Sequence, residues 1–376
     1  ISMKNIVISA INLFEGGPLT ILNDCLDYIN DFSNRNPDYH FTLFVHKKIL
    51  VNTKKGARIK FIEFPKSRSS YLYRFYYEYF YFYRYSKRNK IDFWLSLHDI
   101  SPILYKTKQA VYCHNCAPFY KPAFSDIFYQ KRQLLFKYFY NLVYRINIKS
   151  NSFIIVQQKW LKDKFIQLFD ISSEKIIISN PLISENNHNK FNEKKLLNKP
   201  KEISFFYPSF PRKFKNFEII CEAVKILKSK TNKKFVVYLT IDGSENKYSF
   251  FVRKKFNEIS NIKFTGIIPI KEVFNYYKIV DCLIFPSKLE SWGLPISEFK
   301  QFDKPILASN LAYAKETVGD YSKVNFFDPD DSNELSNYML DIINKNFNFK
   351  GNNFNYDDKL LISGWESLFS KLIKDL

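Results

Sequence analysis

The chain has 376 residues, of which 46% are hydrophobic and 25% are charged, and its formal net charge is +20. This length suffices for two hydrophobic cores, the apolar content excludes a disordered chain, and no apolar run is long enough for a membrane-spanning helix. The excess of Lys and Arg favours anionic partners such as phosphorylated substrates, an acidic membrane or nucleic acid, or else reflects compositional bias alone.

In the first half, short apolar runs alternate with longer helical patterns. The first run is typical of a strand rather than of a secretory signal peptide. Strands are predicted over residues 5–10, 40–48, 58–65, 91–97, 109–115, 152–158 and 175–181, and helices over 20–32, 67–89 and 159–169. Residues 183–202 are polar and lack an apolar period, which is typical of a linker.

The second half repeats this alternation. Strands are predicted over residues 203–209, 234–243, 262–266, 281–287 and 305–309, and helices over 217–230, 249–259, 270–280 and 295–302. Continuously apolar strands that alternate with helices indicate parallel sheets covered on both faces. We therefore predict an α/β protein with two Rossmann-like domains facing each other across a cleft, which is the expected ligand site.

The five cysteines are odd in number and scattered, which favours a reducing compartment. Cys113 and Cys116 have the C-x-x-C spacing, but no second pair completes a zinc site. Cys113 also lies within a predicted strand. We expect neither a metal nor a cofactor.

The segment "PSKLESWGLPISEFKQFDKPILAS" carries the strongest functional signal. Pro295 suits the first turn of a helix, so "LESWG" is predicted to be the loop after a strand. Glu290 then lies at the strand end and Glu298 in the helix. Backbone N–H groups at such a helix start can bind a diphosphate, and a carboxylate beside them can accept ribose hydroxyls. Alternatively, Glu298 complements the helix start and Glu290 is simply solvated.

This segment resembles the signature of the family-4 retaining glycosyltransferases, which have the GT-B fold. The matching residues are Glu290, Gly293-Leu294-Pro295, Glu298 and the strand beginning at Pro305. The resemblance covers about 130 residues of the second half and is weaker in the first. Asp303 stands where the family often has Gly.

The resemblance implies a domain organisation and a set of site residues. It implies an acceptor-binding domain over 1–185 with the final helix at 360–376, a linker at 186–201, and a nucleotide-sugar-binding domain over 202–359. Glu298 would hold the ribose, and Glu290 would contact the donor sugar. Donor-binding residues would further include Ser291, Trp292, Gly293, Leu294, Asp242, Gly243 and Gly266.

Basic residues on the loop after the first strand of the second domain would neutralise the diphosphate. Lys215 matches the family's Lys position. The family's Arg usually lies a few residues upstream of Arg212, so Lys213 is a rival to Arg212 for the second cation. Fixed cations stabilise the negative charge that builds on the leaving group. The alternative is three solvated basic residues before a helix.

Two further features of the first domain fit the resemblance. His114, with Asn115, ends a strand where the family has a His that contacts the donor sugar, although a lone His is more often structural. Gly16 and Gly17 follow the first strand and would form the acceptor or phosphate loop, because glycines let a ligand approach the backbone closely. Turn glycines without a ligand are the alternative.

Residues 67–90 carry many Tyr and Phe with interleaved Arg and Lys, and residues 120–150 are similar. Such a helix suits the interface of an anionic membrane, or it is a buried helix in an aromatic-rich chain. Single-stranded nucleic acid also fits the pattern, but no RNA-binding motif accompanies it. We expect membrane contact and no nucleic acid.

The resulting hypothesis is a cytoplasmic, membrane-peripheral hexosyltransferase at the inner face of the plasma membrane. It would move a sugar, with retention and without metal, from a nucleotide sugar to a lipid-linked glycan in bacterial O-antigen or capsule-type synthesis. Same-face attack and double displacement both remain open. The alternatives are a nucleotide-sugar epimerase or phosphorylase on the same fold, or a non-catalytic glycan- or nucleic-acid-binding module.

Overall fold

The computed structural model describes residues 3–14, 16–51, 59–120, 131–181, 198–352, 354, 361–374 and 376. The chain divides into two compact units. Unit 1 comprises residues 1–119, 136–182 and 357–376, and unit 2 comprises residues 120–135 and 183–356. The predicted linker and domain boundary lie largely outside the described residues. Among the described helices, none is long and apolar enough to cross a membrane.

Unit 1 is built on a seven-stranded parallel sheet in the order β3-β2-β1-β4-β5-β6-β7. The strands are β1 (Lys4–Ala10), β2 (Tyr39–Val45), β3 (Ile59–Glu63), β4 (Phe93–Ser96), β5 (Lys108–Cys113), β6 (Phe153–Val156) and β7 (Ile176–Ile178). The central strands are buried almost throughout, as expected for a sheet with helices on both faces.

The predicted helices of unit 1 are all present, but their ends differ, and the helix predicted over 67–89 is divided by a π turn. The helices are α1 (Gly16–Arg35), α2 (Tyr71–Tyr76), a π turn (Tyr77–Tyr81), α3 (Phe82–Arg88), α4 (Lys131–Asn147, in unit 1 from residue 136), α5 (Lys159–Phe169) and α12 (Gly364–Leu372). The helix α4 had no predicted bounds. Helix α1 begins four residues before the predicted start, so Gly16 and Gly17 open its first turn instead of forming a separate loop. Early helix positions tolerate Gly and Pro because their N–H groups have no partner within the helix.

The C-terminal helix α12 packs on unit 1. Its Leu368, Phe369 and Leu372 belong to the same buried cluster as Leu22 and Leu26 of α1. The ring of Phe369 lies 5.3 Å from that of Tyr28, centroid to centroid. Just before the helix, Leu361 pairs in parallel with Ile178 of β7. The last described segment therefore forms part of the core of unit 1.

Unit 2 has a six-stranded parallel sheet in the order β10-β9-β8-β11-β12-β13. The strands are β8 (Ile203–Tyr207), β9 (Phe235–Leu239), β10 (Ile262–Phe264), β11 (Cys282–Phe285), β12 (Ile306–Ser309) and β13 (Val324–Phe327). The helices are α6 (Phe217–Lys230), α7 (Lys247–Phe256), α8 (Ile270–Ile279), α9 (Leu294–Lys300), α10 (Ala312–Val318) and α11 (Ser332–Asn344).

Both sheets reverse their strand order next to the first strand of the unit. In unit 1 this point lies between β1 and β4, and in unit 2 between β8 and β11. In open α/β sheets, ligands bind beyond the carboxyl ends of the strands at such a switch point. The loops after β1, β4, β8 and β11 are therefore the places to search for a site.

Candidate active site

Two loops of unit 2 meet at its switch point. The loop after β8 ends in a short turn of 3₁₀-helix, Lys213–Lys215, and the loop after β11 carries Glu290. The Lys288 N–H donates to the Phe214 carbonyl at 2.7 Å, and this bond ties the two loops together. Asn216 has a left-handed backbone with φ of 61° and donates its side-chain amide to the carbonyl of Pro329 at 2.7 Å.

Lys215 and Glu290 form an ion pair across these loops. Both side chains are largely buried. Two buried tyrosines surround the pair: the Tyr207 hydroxyl donates to the Lys215 carbonyl at 2.8 Å, and the Tyr313 hydroxyl donates to the Ser287 carbonyl at 2.6 Å. Burial raises the pKa of both tyrosines, and the Glu290 charge adds to this effect. Glu290 therefore lies in a tightly structured part of the loop after β11.

The other two predicted cations behave differently. Lys213 forms an ion pair with Glu218 of α6, a carboxylate that also accepts the Tyr248 hydroxyl. Arg212 is exposed and lies over the rings of Phe210 and Phe214, with 5.9 Å to each centroid. Among the residues that the structure describes, Arg212 has no carboxylate partner. Its charge is therefore available to an anionic ligand, whereas that of Lys213 is neutralised.

Glu298 lies in α9 and is turned toward α8. Its Oε2 accepts the Tyr277 hydroxyl at 3.0 Å. Burial raises the pKa of the Glu298 carboxyl, and the hydrogen bond from Tyr277 acts in the opposite direction. The side chain is thus held in one orientation, and its predicted contact with a ribose remains a prediction.

The turn between the two glutamates is built around Gly293 and Trp292. Gly293 precedes α9 with φ of 96°, a backbone conformation that disfavours any residue with a side chain. The Trp292 indole is buried and donates to the Ser297 hydroxyl at 2.9 Å, while its carbonyl accepts the Thr317 hydroxyl. The indole N–H and the carbonyl of Trp292 are thus both engaged within unit 2, and its predicted donor contact stays a prediction. Ser291 and Leu294 flank this turn in partly buried positions.

Asp242, Gly243 and Gly266 lie together at the ends of β9 and β10. A Cβ atom on Gly266 would come within 2.9 Å of the Asp242 carboxylate. The Glu245 carboxylate accepts the N–H groups of Asp242 at 2.8 Å and Gly243 at 3.1 Å. Two carboxylates at one turn make it unsuitable for a diphosphate, so any donor contact here would involve another part of the nucleotide.

In unit 1, His114 and Asn115 follow β5 beside the turn that follows β4. The His114 Nε2 lies 2.8 Å from the Leu97 carbonyl, and its ring stacks on Tyr112 at 4.4 Å between centroids. Burial lowers the pKa of His114, and the nearby Asp99 carboxylate opposes this effect. The ring is therefore neutral at pH 7, with its proton on Nε2.

Several residues that organise these loops carried no recognisable signal in the sequence. Asp99 and Tyr144 hold the His114 loop, and Glu218 and Tyr248 hold Lys213. Each depends on a partner far away in the sequence or on a left-handed backbone. The segment "HDISP" after a predicted strand was the only available hint for Asp99.

The described residues contain no group of three or more His, Cys, Asp or Glu side chains that could hold a metal ion. Cys113 is buried, and burial raises the pKa of its thiol. Independence of metal stays a prediction.

Residues 187–356 match the family model described as glycosyl transferases group 1. This part of the chain is similar to the group 1 glycosyltransferases. The family resemblance noted in the motifs is confirmed, and a glycosyltransferase function follows from it. The match includes both glutamates and the three cations discussed above.

Two curated proteins are similar to this glycosyltransferase. The O-antigen chain mannosyltransferase B of Escherichia coli is 26% identical over 127 residues, which is 34% of this chain and only 33% of that protein. The O-antigen chain mannosyltransferase RfbU of Salmonella typhimurium is 19% identical over 300 residues, which is 78% of this chain and 74% of that protein.

The similarity in fold extends to unit 1 as well. The crystal structure of the Anabaena protein HepE in complex with UDP-glucose covers 91% of this chain and 90% of its own, with a TM-score of 0.59 at 14% identity. Together with the two Rossmann-like sheets, this confirms the predicted α/β, GT-B class of fold.

Proposed function

We propose that this glycosyltransferase moves a hexose-type sugar, with retention of the anomeric configuration and without a metal ion, from a nucleotide sugar to a glycan acceptor. The observation that carries the proposal is the Lys215–Glu290 pair together with the exposed Arg212 on the same loop, at the switch point of the unit 2 sheet. A nucleotide-sugar donor is further supported by the UDP-glucose complex of the similar HepE structure.

The chemistry follows from the charges at this point. The bond between the anomeric carbon and the diphosphate oxygen breaks, and its electron pair remains on the nucleoside diphosphate. Arg212 and Lys215 stabilise that charge in place of a metal ion. When a diphosphate binds Lys215, the Glu290 carboxylate is released to accept hydroxyls of the donor sugar. The acceptor hydroxyl bonds to the anomeric carbon and loses its proton, which the departing phosphate can take.

The acceptor is assigned from the relatives. Both curated relatives are O-antigen chain mannosyltransferases, and we place this chain in the same kind of process, the assembly of a bacterial surface polysaccharide on a lipid carrier. The enzyme would then work in the cytoplasm at the inner face of the plasma membrane.

The surface of unit 1 supports contact with that membrane. The segment from α2 to α3 exposes Leu72 by 80% and Phe80 by 63%, and α4 exposes Tyr138 and Leu142. The two segments are neighbours, since the Tyr71 ring lies 5.1 Å from that of Phe139, centroid to centroid. Exposed apolar side chains beside Arg and Lys suit an anionic lipid surface.

The test is a screen of UDP-, GDP- and dTDP-sugars for thermal stabilisation, followed by product analysis with a lipid-linked glycan. A ligand that binds only the folded state raises the melting temperature. We expect one nucleotide class to stabilise the wild type and to stabilise Glu298→Ala less. Transfer should give a glycoside with the donor's anomeric configuration and should survive EDTA.

The alternatives predict different products. An epimerase would return an isomeric nucleotide sugar, and a phosphorylase would release a sugar 1-phosphate. A binding module would bind without turnover. An inverted product would contradict retention, and loss of activity in EDTA with rescue by magnesium would contradict a metal-free mechanism.

A further inference from the structure

The turn after β4 holds the loop that follows β5. The Asp99 Oδ1 accepts three hydrogen bonds, from the N–H of His114 at 2.6 Å, the N–H of Asn115 at 2.8 Å and the hydroxyl of Tyr144 in α4 at 3.0 Å. The Leu97 carbonyl accepts the Nε2–H of His114. Both the backbone and the ring of His114 are therefore fixed by residues 97–99.

Asp99 adopts an unusual backbone conformation to do this. Its φ is 72°, in the left-handed region that is costly for residues other than glycine, and it is 8% exposed. A glycine would adopt this turn without strain. The feature that aspartate has and glycine lacks at this position is the carboxylate. Residues with a strained backbone, as Asp99 has, cluster at functional sites.

A buried cation supports the same turn. Arg74 of α2 donates through Nη2 to the His98 carbonyl at 2.9 Å and through Nη1 to the Tyr140 hydroxyl at 3.4 Å. Its charge attracts the Asp99 carboxylate, which contributes to raising the pKa of Arg74 against the effect of burial. The position of Asp99 is thus set by the Tyr112 carbonyl of β5, which accepts its N–H at 3.1 Å, by Arg74 of α2 and by Tyr144 of α4.

The His114 ring has one nitrogen left for a ligand. Nε2 is engaged by the Leu97 carbonyl, and Nδ1 is buried with no hydrogen-bond partner among the residues that the structure describes. Because the ring is neutral with its proton on Nε2, Nδ1 is a hydrogen-bond acceptor. The position of Nδ1 depends on the hydrogen bonds that the Asp99 carboxylate accepts from the backbone N–H groups of His114 and Asn115.

We propose that Asp99 is a positioning residue of the transferase, whose carboxylate fixes His114 and Asn115 so that Nδ1 can accept a hydroxyl of the substrate. The proposal rests on the proposed function, because the hydroxyl that Nδ1 would accept is one of the sugar substrate. Asp99 acts through the His114 loop and does not itself contact substrate.

The first experiment compares Asp99→Gly with Asp99→Asn. Glycine keeps the left-handed turn but lacks the carboxylate, and asparagine keeps one acceptor oxygen. We expect Asp99→Gly to fold and to lose on the order of a hundredfold in kcat, as for a misplaced reactive group, with nucleotide affinity unchanged. The kcat of Asp99→Asn should lie between those of Asp99→Gly and the wild type.

Asp92→Asn is the matched control. Asp92 precedes β4, whereas Asp99 follows it, so the two residues lie at opposite ends of the same strand. The Asp92 Oδ2 also accepts a backbone N–H, that of Asn5, at 2.8 Å. Its kcat should match the wild type. Wild-type kcat in Asp99→Gly, or an equal loss in Asp92→Asn, would overturn the proposal.

A second experiment asks whether Asp99 acts through His114. In a protein that already carries His114→Ala, the further change Asp99→Gly should lower kcat by less than threefold. The effects of two substitutions do not add when one residue acts through the other. If Asp99→Gly lowered kcat by the same factor with and without His114→Ala, the proposal would be overturned.

An NMR titration provides a readout that does not need activity. The His114 signal, assigned among the five histidines by comparison with His114→Ala, should report the Nε2–H tautomer, and its pKa should fall in Asp99→Asn. If His114 had the same pKa in Asp99→Asn as in the wild type, the interaction between Asp99 and His114 would be disproved. If the wild type transfers no sugar, the proposed function fails, and the titration still decides the role of Asp99.

Discussion

Two lysines two positions apart have separate partners at the candidate site. Lys213 is paired with Glu218 of α6, whereas Lys215 is paired with Glu290 of the loop after β11. Both pairs are formed by residues of one short 3₁₀ turn, so their chemistry and their distance along the chain are closely matched. They provide a controlled comparison of a site cation with a structural one.

Lys215→Ala should lower kcat by about a hundredfold or more, because a charge that stabilises the departing diphosphate is removed. Lys213→Ala should stay within a few-fold of the wild type in kcat, although it leaves Glu218 without its ion-pair partner. Steady-state kinetics with the donor found in the screen will measure both. Equal losses in the two variants would refute the separate assignments.

The residues of the unit 2 site could be predicted from the sequence, but their partners could not. The motif identified Glu290, Glu298 and Lys215, because each lies at a fixed spacing from a glycine or a strand end. Nothing in that spacing indicated that Lys215 meets Glu290 or that the Trp292 ring is buried. Asp303 illustrates the same limit: it has φ of 53°, so it takes the conformation for which the family often uses Gly.

At the scale of elements, the segment from α2 to α3 has both a buried face and exposed apolar side chains, the two features behind the alternatives that the sequence presented. Its inner face carries Arg74, Glu78, Phe82 and Ser86, all buried at intervals of four positions. On a regular α-helix, each residue in such a series is rotated by about 40° around the helix axis relative to the one four positions before it. The wider π turn at Tyr77–Tyr81 takes up part of that drift, which keeps the four residues on one face.

Glu78 is a buried carboxyl in the π turn. His98 Nε2 lies 3.5 Å from its Oε1, and Arg74 faces it from the preceding turn. Ser9 of β1 bonds to the same nitrogen of His98 at 2.9 Å. Burial raises the pKa of Glu78 to about 8, and the Arg74 charge opposes this rise only in part. The folded protein therefore keeps Glu78 protonated at a pH where the unfolded chain has lost that proton.

This difference predicts the pH dependence of stability. The contribution of Glu78 is complete below about pH 4.5, falls by up to about 1.4 kcal/mol per pH unit as the pH rises, and is lost above about pH 8. Glu78→Gln stays neutral at all pH values, so its stability advantage over the wild type should grow from pH 5 to pH 8. Denaturant unfolding at several pH values will measure it.

The control for this experiment is Glu63→Gln, which removes an exposed carboxyl of β3 in the same unit. A constant difference between Glu78→Gln and the wild type from pH 5 to pH 8 would contradict a protonated Glu78.

The order of elements was the most predictable aspect of the fold, because continuous apolar strands separated by amphipathic helices leave few arrangements. Helix ends were less predictable. Helix α1 begins at Gly16 although glycine is a poor helix former, since the first turn needs no intrahelical N–H bonds. The π turn could not be predicted, because it depends on the packing of Arg74 and Glu78.

At the scale of the whole molecule, the proposed membrane contact would combine the net charge of +20 with the exposed apolar side chains of unit 1. Long-range attraction brings a basic protein to an anionic membrane, and inserted apolar side chains hold it there. The first effect is screened by salt and the second is not, so the two can be separated by experiment.

Vesicle flotation should show binding to phosphatidylglycerol vesicles at low salt. The double variant Leu72→Ser, Phe80→Ser should weaken binding by more than tenfold, because each side chain would otherwise bury apolar surface worth about 1.5–3 kcal/mol. Ile49→Ser, at an apolar position of the same unit that is 89% exposed, should bind like the wild type. Identical binding of all three proteins would argue against this surface.

The parallel pairing of Leu361 with Ile178 and the packing of Phe369 beside Tyr28 also determine the order of folding during synthesis. The 174 residues from 183 to 356 of unit 2 leave the ribosome before the final helix of unit 1 exists. Until residues 361–374 emerge, the nascent first unit exposes Leu22 and Leu26, which that helix later covers. In this chain the N-terminal unit is therefore the last to be completed, the reverse of the usual order of domain folding on the ribosome.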